Sequence, residues 1–495
     1  MILQRGLDLN LTLTAIIARA LPACATVLLG DADCKDMRMA MVRADSNILT
    51  GSLWKAIPLF ALPVAATSIL EQLSSLVGMM VLGRLSSGDG TLAMAAVGSN
   101  TPIVSLIVNL FVGLALGANV IVAHAAGRGD SATMERTSHT AVAVSVVGIA
   151  VAAVCELLAE PVLDMLSVPP ETMPGALLYL RIYLVAIPAV LLYNLEAAVF
   201  RGVGITKMPL QALALSCALC VVLDLVFIPV LGWDVAGAAT ATAISYYASA
   251  AMLFVRLLTT STAVRINPRK LRVDARTLAR IVKVGLPAGI QGAVFAIANI
   301  IIQGAVNSLG NEVLAASSAA MALEFVLYNL VNSFGQACTT FVGQNFGARN
   351  IDRCKRVLKV CLVEDAAVTA ALALCMVLFG RQIVGLFNSD PEVIELGYVR
   401  VCCIFPAYLA SMTYETLSGY LRGFGISLLP AVLTTLGVCG TRIFWVACVF
   451  SANPTFLTLM LVYPVSLTVT ALLILGAVLF CQPAKVYGKK KQAAA

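Results

Sequence analysis

Charge is what this sequence has least of. Of its 495 residues only 12% are Asp, Glu, Lys or Arg and 60% are hydrophobic, with a mean hydropathy of +0.93. A soluble globular domain carries about 25% charged residues, so a wholly soluble chain is excluded. Histidine is nearly absent: His124 and His139 are the only two, too few for a histidine metal cage. The 14 cysteines show no metal-ligand spacing. Several, such as Cys217, Cys220, Cys375, Cys402 and Cys403, sit in apolar runs, where a thiol acts as a small hydrophobe. No GxxxxGK followed by Ser or Thr occurs, which excludes a P-loop ATP motor. Neither HExxH nor paired intramembrane aspartates is found, which argues against a membrane-embedded enzyme. No cofactor is implied. Short segments of alternating polarity are missing too, which excludes a β-barrel.

What the chain does have is apolar runs of about 20 residues, the length a helix needs to cross a bilayer. In lipid each backbone polar group must be bonded internally, so such runs become helices. The runs predict twelve spans, at 56–83, 92–119, 138–160, 176–199, 209–231, 236–258, 281–306, 313–342, 357–380, 394–420, 428–450 and 456–481. The net charge of +7 is not spread evenly, and its placement does not suggest nucleic-acid binding. The 257–283 segment carries Arg265, Arg269, Lys270, Arg272, Arg276, Arg280 and Lys283. The 343–359 loop carries five more basic residues, and the C-terminus ends in Lys489, Lys490 and Lys491. The intervening loops are short or acidic. Positive charge collects on the cytoplasmic side, so both termini are expected there, in a multi-pass protein of the plasma (inner) membrane.

The first 50 residues fit poorly. Leu11 to Gly30 is apolar but holds Arg19 and Pro22. A signal-like segment, an extra helix, or upstream sequence from a start codon placed too early are all open, and the methionines at 37, 39 and 41 favour the last.

Self-comparison reveals a duplication. Leu62-Pro63 opens the first span and Leu286-Pro287 the seventh. FVGLALGANVIVAHAAGRG at 111–129 aligns with VNSFGQACTTFVGQNFGAR at 331–349. Tyr179-Leu-Arg-Ile-Tyr aligns with Tyr398-Val-Arg-Val-Cys, each leading to a proline, Pro188 or Pro406. Arg201-Gly-Val-Gly aligns with Arg422-Gly-Phe-Gly. The offset stays near 220. Six spans per half make the halves parallel repeats about an axis along the membrane normal, with a substrate site between them. The expected fold is therefore an all-α polytopic membrane protein. It divides into an N-terminal extension of uncertain status (1–50), a six-helix lobe (51–256), a basic cytoplasmic linker (257–280), a second six-helix lobe (281–481) and a basic tail (482–495).

Over about residues 50–480 the chain resembles the multidrug and toxic compound extrusion (MATE) transporters, most closely the DNA-damage-inducible protein F branch. The resemblance is carried by LAMAAVGSNTPI at 92–103, LYNLEAAVFRGVG at 192–204 and LDLVFIPVLGWDVAGAATATAIS at 223–245. In the second half it is carried by VGLPAGIQ at 284–291 and TTFVGQNFGARN at 339–350. It implies export of small organic molecules in exchange for sodium or protons. It also implies a cation site in the first half, made from an aspartate in span one, an asparagine and an aspartate one turn apart in span five, and a threonine in span six. On this sequence the span-five aspartate is Asp224 and the threonine Thr242. The asparagine position holds Cys220 and the span-one aspartate position holds Gly78, and Ile205 replaces the acidic residue after the RxxG turn. With two of four ligands missing, protons are favoured over sodium.

Residue by residue, a charge inside the bilayer is costly and is a functional candidate by default. Asp224, read as mid-span, is a candidate coupling carboxylate, or else a structural carboxyl bonded to neighbouring helices. Glu71 lies seven residues before Gly78, two turns away on nearly the same face. It either takes the place of the missing aspartate, lines the cavity nearer its entrance, or snorkels from a helix end. Two polar stripes recur every four residues: Asn299, Gln303 and Asn307 in span seven, and Glu324, Tyr328, Asn332 and Gln336 in span eight. They are expected either to form the polar wall of a substrate cavity, with Glu324 attracting cations, or to glue helices together. Glu196 and Glu415 are read as structural. Arg201 and Arg422 are read as boundary residues that bond loop carbonyls or headgroups. The expected partners are small, often cationic and amphipathic substrates and membrane lipids, with no nucleic acid, for a monomer. A flippase for lipid-linked intermediates is the alternative; it calls for extra spans and several deep cationic residues, and the sequence reading finds neither.

Overall fold

The computed structural model describes residues 48–166, 168–385 and 390–486. Twelve helices long and apolar enough to cross a bilayer form there: α1 (Leu53–Leu85), α2 (Gly90–Arg128), α3 (Ser131–Met165), α4 (Met173–Gly202), α5 (Lys207–Phe227), α6 (Asp234–Thr259), α7 (Ala275–Asn307), α8 (Glu312–Gly347), α9 (Ile351–Gly385), α10 (Pro391–Gly423), α11 (Leu428–Phe450) and α12 (Phe456–Val486). They match the twelve apolar runs one for one. Most overshoot the run, because capping residues rather than hydropathy end them. The carboxylates of Asp89, Asp130, Asp274 and Asp390 each accept a backbone N–H of a first turn. At Asp274 the Thr277 hydroxyl and N–H both donate to the carboxylate, which holds it below the usual carboxylate range. Helix α5 instead stops short, at Phe227: Ile228 still bonds the Asp224 carbonyl, but Pro229 has no N–H with which to continue the ladder.

The outward faces are apolar, as a lipid contact requires; Phe480 is 91% exposed. Inside each half one helix is central. Helix α4 touches α2, α3 and α6, and α10 touches α8, α9 and α12. Helix α1 packs on α5 and α7 on α11. Between the halves, α2 lies along α7 and α8 along α1, two contacts that exchange under the repeat. Gly127 and Gly347 occupy the same place in the two aligned stretches, and a Cβ on Gly347 would lie 3.2 Å from the Gly127 Cα. The pseudo-twofold axis therefore passes between them.

Backbones meet closely along this seam. A Cβ on Gly113 would sit 2.2 Å from the Gly289 nitrogen, and one on Gly117 2.2 Å from the Ile281 carbonyl oxygen. GLALG in α2 thus crosses GLPAG in α7, small residues admitting the opposing backbone. Two reciprocal hydrogen bonds close the seam. Gln344 Nε2 donates to the Gly202 carbonyl at 2.8 Å, and His124 Nε2 lies 2.7 Å from the Gly423 carbonyl. His124 aligns with Gln344 and Gly202 with Gly423, so the two bonds are images of each other. Thr340 also donates to Asn119 Oδ1 at 3.1 Å.

All these contacts lie at the basic end of the molecule. Further along, the halves part. Helix α1 is buried at intervals up to Thr67, packing Phe60 against Phe341, but from Glu71 to Met80 no residue is buried. The cleft opens toward the end where α1 turns into α2.

Two boundaries differ from the sequence reading. Ile48 is buried, and its carbonyl accepts from Arg353 Nε at 3.0 Å, so residues 48–50 already dock on the second half rather than belonging to an extension. The basic linker is shorter than 257–280. It runs between Thr259 and Ala275 and folds back on the first half, burying Val264 and Ile266, with the Asn267 N–H donating to His139 Nε2 at 3.0 Å. Residues 1–47 and Lys489–Lys491 lie outside the described residues.

Candidate functional site

Helix α5 carries Asp224 and Cys220 on one face, one turn apart, and α6 presents Thr242 to the same place. Cys220 Sγ lies 3.7 Å from Asp224 Oδ2 and 4.0 Å from Thr242 Oγ1. Gly78 of α1 closes the group: a Cβ there would be 3.1 Å from Asp224 Oδ2. The four positions mapped from sequence thus converge on one station. Asp224 is not mid-span, however. It lies in the last turn of α5, which ends four residues before the apolar run does. The carboxylate is nonetheless buried, and its Oδ1 has no hydrogen-bond partner. A carboxylate at a helix C-terminus faces the negative end of the helix dipole. Both features favour binding a cation there.

Glu71 does not replace the missing aspartate. Two turns from Gly78, it accepts a 2.8 Å hydrogen bond from Tyr246, which follows Thr242 by one turn on α6. Cys217 fills the interval, its Sγ 3.5 Å from the Leu70 carbonyl. Glu71, Tyr246, Cys217, Cys220, Thr242 and Asp224 form a polar ladder along α1, α5 and α6.

The second half is organised differently. The Glu324 carboxylate is not free. Arg400 grips it with two hydrogen bonds, Nε to Oε1 at 2.5 Å and Nη2 to Oε2 at 3.1 Å, and Arg400 is fully buried. A neutralised carboxylate is a poor lure for cations, so the expected attraction by Glu324 is revised. Tyr328 and Asn332 are partly exposed, and Gln336 accepts from Arg201 at 3.4 Å across the seam. The α8 stripe is therefore held at both ends. In the α7 stripe Gln303 donates to Asn307 at 2.9 Å, while Asn299 accepts from Arg442 at 2.9 Å. Arg422 donates to Gln291 at 3.1 Å and faces Glu415 at 4.0 Å. Arg201 and Arg422 thus bond side chains inside the bundle, not loop carbonyls or headgroups. Glu196 is fully buried with neither oxygen bonded.

Residues 63–226 and 287–447, one segment in each half and together more than half of the chain, match the MatE family. The chain belongs to that family. Among the relatives of this MatE protein is a probable multidrug resistance protein YoeA of Bacillus subtilis, 26% identical over 437 residues, covering 86% of this chain and 93% of the relative. Another is an FAD transporter of Shewanella oneidensis, 23% identical, covering 74% and 84%. Among solved structures, one described as the outward-facing conformation of a multidrug resistance MATE transporter superimposes with a TM-score of 0.81 at 20% identity, covering 90% of this chain and 98% of that one. The twelve-helix architecture is thus that of MATE transporters.

Three further residues of this MatE protein are buried charges outside the polar stripes and the mapped cation site. Arg442 is the lone charge in the apolar run 428–450, a signal sufficient to single it out. Asp365 lies in the run 357–380 and is fully buried, bonded by Thr369 at 3.2 Å and Thr416 at 3.0 Å. Arg400 was visible only as the partner of Arg181 in the repeat. Arg181 itself pairs with Glu156 near the surface at 2.9 Å, so nothing in the alignment points to Glu324.

Proposed function

We propose that this protein is a secondary antiporter of the cell membrane, both termini cytoplasmic, that exports small organic compounds in exchange for protons. The observation that carries this reading is the convergence of Gly78, Cys220 and Thr242 on the buried Asp224 carboxylate, whose Oδ2 meets Cys220 and Gly78 while Oδ1 has no partner. Membership of a family whose relatives are described as multidrug resistance and export proteins supports the class of cargo. The donor set argues for protons. Sodium is a hard cation that collects several oxygen ligands; here the side chains offer one carboxylate, one hydroxyl already donating to Ala238 at 2.9 Å, and a soft thiol. A proton needs only Asp224. The ladder from Asp224 to Glu71 gives it a polar route along the first half. Protonation shifts the balance between two packings of the halves only if the site binds the proton more tightly in one of them, which requires the surroundings of Asp224 to change as the halves move. The cleft open at the end away from the basic loops is then the extracellular mouth.

The test uses proteoliposomes loaded with a fluorescent cationic dye under an imposed pH gradient, an imposed sodium gradient, or neither. A pH gradient alone is expected to drive export, and Asp224→Asn to reduce it to the rate of empty vesicles. Full gradient-driven export by Asp224→Asn sinks the assignment.

A further inference from the structure

We infer that the second half holds an anion-binding site, built on Arg442 and Arg400, that takes the carboxylate or sulfonate group of an amphipathic organic anion. The inference rests on the transporter reading and names the class of compound this half of the cleft receives.

Two guanidinium groups, Arg400 and Arg442, flank the ring of Tyr463, at 5.5 Å and 4.6 Å from its centroid. One carboxylate, Glu324, lies in the cluster, and it pairs with Arg400. Among the described residues no carboxylate comes within ion-pair distance of Arg442. The cluster therefore carries one uncompensated positive charge. Both arginines are at least nine-tenths buried. A buried charge without a partner is strongly destabilising, and a neutral amide, Asn299, is a weak counterpart to a guanidinium.

Two N–H groups aim at nothing. Arg400 Nη1 and Arg442 Nε are buried and make no hydrogen bond, although a guanidinium has five donors to satisfy. An anionic group that reaches either N–H would satisfy it and neutralise the cluster. The local backbone is unusual in the same place. Arg442 sits in a single helical turn between two π-helical stretches, Thr435–Gly440 and Trp445–Phe450, a geometry that collects at functional sites. The partner of Arg442 is itself accessible: Asn299 is exposed, and no lipid-facing position suits a polar stripe.

The repeat sharpens the point. At the offset of about 220, Thr242 falls opposite Tyr463, and the Cys220–Asp224 turn falls opposite the stretch around Arg442. One half places an acid at this position and the other half places a base.

The test measures equilibrium binding to the full-length protein in phosphatidylcholine nanodiscs by fluorescence polarisation. The probes are carboxyfluorescein, an anion, and a rhodamine ester, a cation on the same xanthene scaffold. Arg442→Gln is expected to weaken carboxyfluorescein binding by about tenfold or more, the worth of a charge-assisted hydrogen bond, and to leave the rhodamine ester unchanged. Asn299→Asp supplies the missing carboxylate in place and keeps both arginines. It is expected to fold, to abolish carboxyfluorescein binding and to spare the rhodamine ester. No saturable binding of carboxyfluorescein to the wild type, equal weakening of both dyes, or undiminished anion binding in Asn299→Asp each overturns the site. Competition by added phosphatidylglycerol also overturns it, by giving the pocket to a lipid headgroup. If both dyes bind as expected but no gradient drives export, the transporter reading fails and the anion site stands.

Discussion

Replacing Gly113 by alanine tests the packing of the two halves at a single atom. The new Cβ would lie 2.2 Å from the Gly289 nitrogen, 2.3 Å from its Cα and 2.7 Å from the Gly285 carbonyl oxygen. All three are backbone atoms, so no side chain can swing aside. Ordinary contact begins at 3.4 Å, so α2 and α7 must separate by about 1.2 Å. Overpacking of this kind costs about 1–3 kcal/mol, and it is charged only to the state in which the seam is closed. The equilibrium should therefore move toward parted halves by roughly 5- to 150-fold. Cys338 is a built-in reporter: it is fully buried in the apolar cluster that α1 and α8 share with α9 and α10. In a background with the other cysteines replaced, Cys338 in Gly113→Ala should react with a maleimide about tenfold faster or more. Gly304→Ala on the same α7 is the control, because nothing lies within 4 Å of its Cβ, and its labelling rate should match the parent. If Gly113→Ala labels no faster than Gly304→Ala while remaining folded, the glycine crossing is not what holds the halves together and the reasoning is refuted.

Two other outcomes are open to measurement. Glu324→Gln strips Arg400 of its buried counter-ion and should lower stability by roughly 3–5 kcal/mol, whereas replacing both residues with a packed apolar pair should restore much of it; thermal unfolding of the purified protein compares them, and equal stability of Glu324→Gln and the parent contradicts the pairing. His124→Ala and Gln344→Ala each remove one of two equivalent seam bonds, so each should speed Cys338 labelling by roughly 2- to 12-fold, and a large difference between the two would deny the pseudo-symmetry.

The twelve spans and the duplication were legible in the sequence because both are one-dimensional. A bilayer imposes a length and a polarity on each segment whatever its neighbours do, and a copied half keeps its turn glycines, prolines and arginines in register. Asp224, Thr242, Cys220 and Gly78 could be gathered on paper only because the resemblance to a family supplied the pairing. Nothing local links Gly78 of α1 to Asp224 of α5. Even the depth of Asp224 was misjudged, since Pro229 ends the helix before the apolar run ends. Arg442 could have been found from its isolation in an apolar segment.

The fate of Glu324 could not have been read from the chain. Its partner Arg400 is 76 residues away on another helix, and the corresponding Arg181 pairs elsewhere. Likewise the spacing of Gly113, Gly117, Gly285 and Gly289 suggests close helices but not which pair. Hydropathy and repetition act along one coordinate, so the sequence determined how many helices there are and that they form two kindred sets. Which charges neutralise each other, and which are left unpaired, depends on distances between helices, and only their packing decided that.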